Sequence, residues 1–286
     1  MEFDIKYTDD PEVLLNETKE YLNSDPLRNN LILTILDSTL KIQNNARYWY
    51  VKNNTNVVGV FVQPSIDSRG IISTIPTEAV RFLADTLSDG GIVLPGIVGE
   101  VSTVAVFAGE WADKNKTSAH PFLALRLYEL QHLHNLKNTN GNIRAATIED
   151  SELLNRWLYD LAVERGEYQE TTDSEILHAR KTHISENIEM NIEEKNLWVW
   201  VNPEPVSMAF QTPILSGVIR VEKVYTPPEH RQNGYATACV GKISQQIYDE
   251  GYHCILYSDL ENPVSNSIYR RIGYNPIAEI IQYRFN

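Results

Sequence analysis

The chain is poor in the features that would place it in several common classes. It has two cysteines, Cys239 and Cys254, in 286 residues. That is too few for a four-ligand zinc site, and a thiol-poor chain without a leader pattern gives no reason for a disulfide framework. Both thiols read as buried and inert. No apolar run reaches membrane-spanning length, and Met1-Glu2-Phe3-Asp4-Ile5-Lys6 sets no basic region ahead of an apolar one, so a cytoplasmic protein with no membrane contact is expected. Cationic surplus is missing as well. The formal net charge is −13, which argues against nucleic acid as a partner, because a phosphate backbone demands a cationic surface. That charge suits a cationic amine ligand and equally serves solubility alone. The nucleotide loop Gly-x-x-x-x-Gly-Lys-Ser/Thr and the dinucleotide loop Gly-x-Gly-x-x-Gly are both absent.

What is present is length for about two domains and an ordinary hydrophobic content of 42%. Residues 11 to 42 read as two helices, with Leu27, Leu31, Ile35 and Leu36 on one stripe of the second. A hairpin follows, Tyr48–Lys52 and Val57–Val62 around Asn53-Asn54-Thr55-Asn56. A strand at 70–74, a helix at 78–87, a strand at 92–94, a helix at 101–114 and a closing strand at 122–130 complete an α/β series. Asn135 to Asn142 is polar, breaker-rich and aperiodic, as a linker would be. A second series then opens with a strand at 143–146, capping chemistry at Thr147-Ile148-Glu149-Asp150, a helix through Leu153, Leu154, Trp157 and Leu161, and a second helix over 173–190. A hairpin formed by Leu197–Val201 and Val206–Phe210 follows.

The most informative stretch is Val218 to Tyr274. Val218–Thr226 is β-branched and aromatic and is stopped by Pro227-Pro228. Arg231-Gln232-Asn233-Gly234-Tyr235-Ala236-Thr237 comes next, and then Ala236, Val240, Ile243 and Ile247 recur at helical spacing. Strand, tight turn and helix aim a row of unpaired N–H groups at one point with the positive end of the helix dipole behind them, which binds an anion. Gly234 lets a phosphate approach without a Cβ in the way, Ala236 keeps the helix start close, and Arg231 can add charge-assisted hydrogen bonds.

Arg231-x-x-Gly234-x-Ala236, placed after Val224-Tyr225-Thr226, resembles the pyrophosphate loop of the GNAT superfamily of acyl-CoA-dependent N-acetyltransferases. A second motif supports it: a strand at 256–260, Asn262 at its end, Asn266 in a short helix, then Tyr269 and Gly273-Tyr274. The two motifs stand in the order and at about the separation usual for that family. The resemblance covers roughly the last half of the chain and departs from the commoner pattern at Asn233 and Ala236.

The resemblance implies a mixed α/β fold of tandem GNAT type. Residues 1–136 would be a degenerate copy, 137–142 the linker, and 143–286 the catalytic domain. The first copy carries no phosphate turn, since Thr74-Ile75-Pro76-Thr77 has neither glycine nor arginine; a separate helical cap is the rival reading of that half. The resemblance further implies acetyl-CoA as cosubstrate, held by Val224, Tyr225, Thr226, the turn Arg231 to Thr237, Asn262 and Asn266. A small-molecule or peptide amine would be the acceptor, without a metal. Tyr269 would protonate the leaving thiolate, or else pack its helix onto the sheet. Asn262 would meet the pantetheine arm, or else cap the turn at Pro263. Glu222 is the candidate general base and equally a surface carboxylate or a partner for Arg220. A different class, an acyl-CoA-binding sensor or scaffold without turnover, uses the same turn.

Two other features draw attention. His132 and His134 would share one face of a strand, yet no neighbouring carboxylate or thiolate completes a metal site. Trp198 and Trp200 would share a face of the hairpin, lining a cleft or packing a core.

Overall fold

A computed structural model describes residues 3–41, 45–166, 168 and 173–286. The first half runs β1 (Phe3–Thr8), α1 (Pro11–Ser24), α2 (Asn30–Lys41), β2 (Arg47–Asn53), β3 (Asn56–Gln63), β4 (Gly70–Ile72), α3 (Thr77–Asp89), β5 (Gly96–Glu100), α4 (Val101–Asn115) and β6 (Ala119–Leu130). The second half repeats that order: β7 (Asn142–Ala145), α5 (Ser151–Glu164), α6 (Ser174–Glu193), β8 (Leu197–Val201), β9 (Pro205–Gln211), β10 (Val218–Tyr225), α7 (Tyr235–Asp249), β11 (His253–Asp259), α8 (Pro263–Ile272) and β12 (Tyr274–Phe285).

Three sequence expectations need correction. The first half opens on a strand, not on helices: Phe3–Thr8 pairs antiparallel with β2 over its full length. Residues 92–94 are not a strand. The strand is Gly96–Glu100, beyond Pro95, where Gly96 and Gly99 leave room for Tyr283 O and Ile72 O; a Cβ at either position would collide. Helix α2 starts at Asn30, so Leu27, expected on its stripe, precedes it: Asp25 holds a turn there, its carboxylate accepting from Arg28 N at 3.1 Å. Ile42, expected at the end of this helix, lies outside the described residues.

The strands form one sheet in the order β1-β2-β3-β4-β5-β12-β6-β11-β10-β9-β8-β7. The last strand of each half thus lies beside the other half: β12 pairs with β5, β6 pairs with β11, and the two pair with each other. Alternate residues of each strand feed different cores. Trp49, Val51 and Phe61 pack with Val80 and Leu83 of α3 and Phe107 of α4, whereas Tyr48, Tyr50, Val60 and Val62 pack with Leu14, Leu22 and Leu36 of α1 and α2. In the second half, Leu197, Val199, Met208 and Phe210 face Leu154, Leu161 and Ile188 of α5 and α6. Trp200, Ala209 and Ile219 face Val240 and Ile243 of α7.

Residues 131–141 have no regular structure but are pinned. His134 N donates to Ile272 O at 2.9 Å, and Trp200 Nε1 donates to Asn140 O at 3.0 Å. His132 and His134 therefore sit beyond β6, not on a strand face. Among the described residues no helix is long and apolar enough to cross a membrane.

Candidate functional site

The site begins where β10 and β11 part. They are parallel and pair only over Val218–Arg220 with His253–Ile255. Beyond that point β10 stays with β9, through a register shift between Glu222 and Tyr225 with Lys223 at φ 49°, while β11 stays with β6 out to Asp259. The carboxyl ends of the two strands splay into a wedge whose facing edges are not paired to each other. One edge carries Glu222 to Thr226, the other Leu256 to Asp259, and each leads into a helix N-terminus.

On the β10 side, Pro228–His230 makes a short 3₁₀ turn, Gln232 and Gly234 take left-handed backbone (φ 66° and 82°), and α7 starts at Tyr235 with Gly234 as its cap residue. No side chain caps α7. Its first-turn amides therefore point outward without a side-chain acceptor, the arrangement that suits an anion. Asn233 Nδ2 stitches the turn to His230 O and Arg231 O, both at 3.2 Å. Arg231 Nε donates to Thr226 O at 2.9 Å, and its Nη2 reaches both Glu164 oxygens, at 2.7 and 2.8 Å. Ser207 Oγ holds Tyr225 O and Thr226 Oγ1 at 3.0 and 2.8 Å. Asn202 Nδ2 donates to the Tyr235 hydroxyl at 2.8 Å. Tyr225 is buried beside Trp157, and burial together with Glu164 and Asp160 pushes its phenol up to about 12. Val224 packs against the α7 core.

On the β11 side, Asn262 caps α8, its Oδ1 accepting from Ser265 N at 3.0 Å, while the residue itself is exposed. Asn266 is buried and committed to the protein. Its Nδ2 donates to Asp259 O and Asn262 O, both at 2.8 Å, and its Oδ1 accepts from the Tyr128 hydroxyl at 3.0 Å. Tyr269 lies between Tyr128 and Tyr274 with ring centroids 6.4 and 6.1 Å away, and is 8% exposed. Burial raises its phenol above the ordinary tyrosine value, against a smaller downward pull from Arg165 and Ser265, so the hydroxyl is protonated at neutral pH.

Glu222 is ion-paired with Arg220 through one carboxylate oxygen, Oε2 accepting from Nε at 3.0 Å and from Nη2 at 2.9 Å. Arg220 is itself buried, and its Nη1 donates to Asn30 Oδ1 at 2.6 Å and Thr34 Oγ1 at 3.3 Å on α2. Sequence reasoning missed these two cross-chain contacts, Arg231 with Glu164 and Arg220 with α2. The partners lie 67 and 190 residues apart, and no local pattern marks them.

The remaining candidates are structural. Burial pushes the Cys239 thiol up to about 12 and the Cys254 thiol up to about 11, and Cys254 Sγ sits 3.0 Å from the Tyr274 hydroxyl. Trp198 and Trp200 pack the hairpin under α7, with Nε1 of Trp198 donating to Gln211 Oε1 at 3.2 Å. Among the described residues no three His, Cys, Asp or Glu side chains could hold a metal. Surface hollows of about 620 and 710 Å³ occur beside α8 and at the end of α7, and neither is lined by residues of the turn. Arg270 and Arg271 in the first of them complement the negative end of α8.

Comparison with known proteins bears on the fold. Residues 215–283 match the family model described as FR47-like protein. No curated protein sequence matches the chain. Among solved structures, an acetyltransferase of the GNAT family from Colwellia psychrerythraea superposes with TM-score 0.62 at 12% identity, covering 99% of this chain and 100% of that one. A GCN5-related N-acetyltransferase from Sphaerobacter thermophilus gives 0.58 at 14% identity, covering 99% and 95%. A tandem GNAT protein from the clavulanic acid biosynthesis pathway gives 0.56 at 9%, covering 99% and 98%. Over 99% of its length the chain has the mixed α/β fold of these GNAT structures, the tandem protein included.

Proposed function

We propose that the chain is a cytoplasmic acetyl-CoA-dependent N-acetyltransferase that acylates a small-molecule or peptide amine in a ternary complex. One observation carries this reading: an uncapped helix start, turned by Gly234, stands at the open end of a wedge between two parallel strands. The wedge takes an extended arm between the strands, as an added strand would lie, while the amides of Gln232 to Thr237 take the attached pyrophosphate. Arg231 adds charge on the same side, and the exposed amide of Asn262 faces the arm from the other strand.

The amine nitrogen attacks the thioester carbonyl and gives up its proton to water, the C–S bond breaks, and Tyr269 gives its proton to the departing sulfur and is reprotonated from solvent. A phenol kept protonated by burial suits a general acid. Glu222, tied to Arg220, neutralises a buried guanidinium and is the carboxylate through which that water passes the amine's proton on.

In this reading residues 143–286 carry the chemistry, 137–142 link, and 1–136 form a copy that shapes the acceptor side. In the first half Ile75 is buried ahead of α3, against Gly59, and the cap position is Pro76, so the place of a phosphate turn is filled by a side chain. One cosubstrate per chain follows. The test is a panel of amines with acetyl-CoA, read as free thiol. Acceptor-dependent thiol release is expected, and thiol release at the no-acceptor rate with every amine class would count against catalysis.

A further inference from the structure

The segment joining the halves runs along α7 as far as the phosphate turn. It is anchored near the end of α8 by His134 N, and Leu136 lies against Gly241, where a Cβ would collide with the leucine methyl. The indole of Trp200 holds Asn140 O at 3.0 Å, and Gly141, at φ 108°, fits against Val201 O with no room for a side chain. Between these anchors Thr139 is half-buried, and its Oγ1 would stand 3.4 Å from a Cβ built on Gly234. Among the described residues this hydroxyl makes no hydrogen bond, and it does not cap α7. This hydroxyl is partly open to solvent and stands beside first-turn amides that no side chain caps, so it is free to donate to an acceptor bound there.

We propose that Thr139 is a positioning residue for the cosubstrate, donating its hydroxyl proton to a pyrophosphate oxygen held at Gly234, so that the inter-half segment forms one wall of the phosphate site. This rests on the reading of the turn given above. Thr139 lies outside the loop motif. Here the donor comes from 95 positions earlier in the chain, and only the anchoring of residues 132–141 brings it there. A hydrogen bond from a partly exposed hydroxyl to a charged acceptor should be worth about tenfold in affinity.

Calorimetry of CoA and of acetyl-pantetheine, which lacks the pyrophosphate, tests it on the full chain. Thr139→Val keeps the shape and removes the donor, Thr139→Ser keeps the donor, and Gly234→Asp controls for the turn. The expected result is CoA binding about tenfold weaker in Thr139→Val and near wild type in Thr139→Ser, with acetyl-pantetheine affinity unchanged in both. Wild-type CoA affinity in Thr139→Val, with binding lost in Gly234→Asp, would overturn the role of Thr139 and leave the turn standing. Equal weakening of CoA and acetyl-pantetheine in Thr139→Val would also overturn it, as a packing effect. Unchanged CoA binding in a folded Gly234→Asp protein would remove the turn and this inference together.

Discussion

Arg231, on the turn before α7, is held to Glu164 at the end of α5 by a two-oxygen ion pair, Nη2 lying 2.7 and 2.8 Å from the carboxylate oxygens. Both side chains are more than two-fifths exposed, and pairs of that kind contribute about 0–1 kcal/mol. A phosphate competing for the guanidinium therefore displaces Glu164 at little cost. Glu164→Gln should tighten CoA binding by up to about fivefold, and Arg231→Gln should weaken it by about tenfold with a shallower salt dependence. Calorimetry at two ionic strengths checks both. A loss of affinity in Glu164→Gln would mean that the carboxylate orients Arg231 rather than competing for it.

Tyr269→Phe removes one hydroxyl and keeps the ring between Tyr128 and Tyr274. Loss of a general acid costs roughly a hundred- to ten-thousandfold, and here it should fall on single-turnover rate more than on acetyl-CoA affinity. Because burial raises this phenol, the protonated, active form persists through neutral pH, and any alkaline loss of rate from Tyr269 should lie above the ordinary tyrosine range. A silent Phe variant, with Tyr269→Ala lowering the melting temperature, would assign the residue to packing.

Residues 143–286 expressed alone should not make a stable monomer. β11 would lose its partner β6, and β12 would lose both of its neighbours, β5 and β6, leaving long unpaired edges. Aggregation or loss of cooperative unfolding is expected. A monomeric fragment with the melting temperature of the full chain would show that the exchanged strands contribute little.

Asp150 closes a capping box with Thr147 and accepts from Arg144 at 2.6 and 2.9 Å. The Arg144 guanidinium, and after it the Thr147 N–H, hold its carboxyl below the usual range against the effect of burial. A depressed carboxyl stabilises the fold above its unfolded pKa of about 3.9, and that contribution disappears as pH falls through the lower folded value. Asp150→Ala should cost about 2–3 kcal/mol at pH 7 and much less at strongly acid pH, measured by urea unfolding. An equal loss at both pH values would contradict the ion-pair origin.

What could be read in the sequence was what is local. Gly234, Arg231 and the flanking prolines mark the turn because backbone conformation at those positions depends on their own chemistry, and the repeated order of elements showed through hydrophobic periodicity. The exchange of β6 and β12 left no mark, since a strand written for either neighbour has the same alternation. β1 went unread because only Phe3 and Ile5 join the core while Tyr7 is exposed. Asn262 and Asn266 look alike in sequence, yet one caps a helix at the surface and the other is locked by three hydrogen bonds. Only the fold distinguishes them.

The central claim is that one acyl-CoA binds per chain, on the amides that follow Gly234. Isothermal titration of CoA into the wild-type chain and into Gly234→Asp, with circular dichroism confirming that the variant is folded, tests it most directly. An aspartate there adds bulk and a like charge where the phosphate must approach. The account expects one CoA per wild-type chain and no measurable binding to the variant. Two CoA molecules per chain, or an unchanged affinity in folded Gly234→Asp, would contradict it.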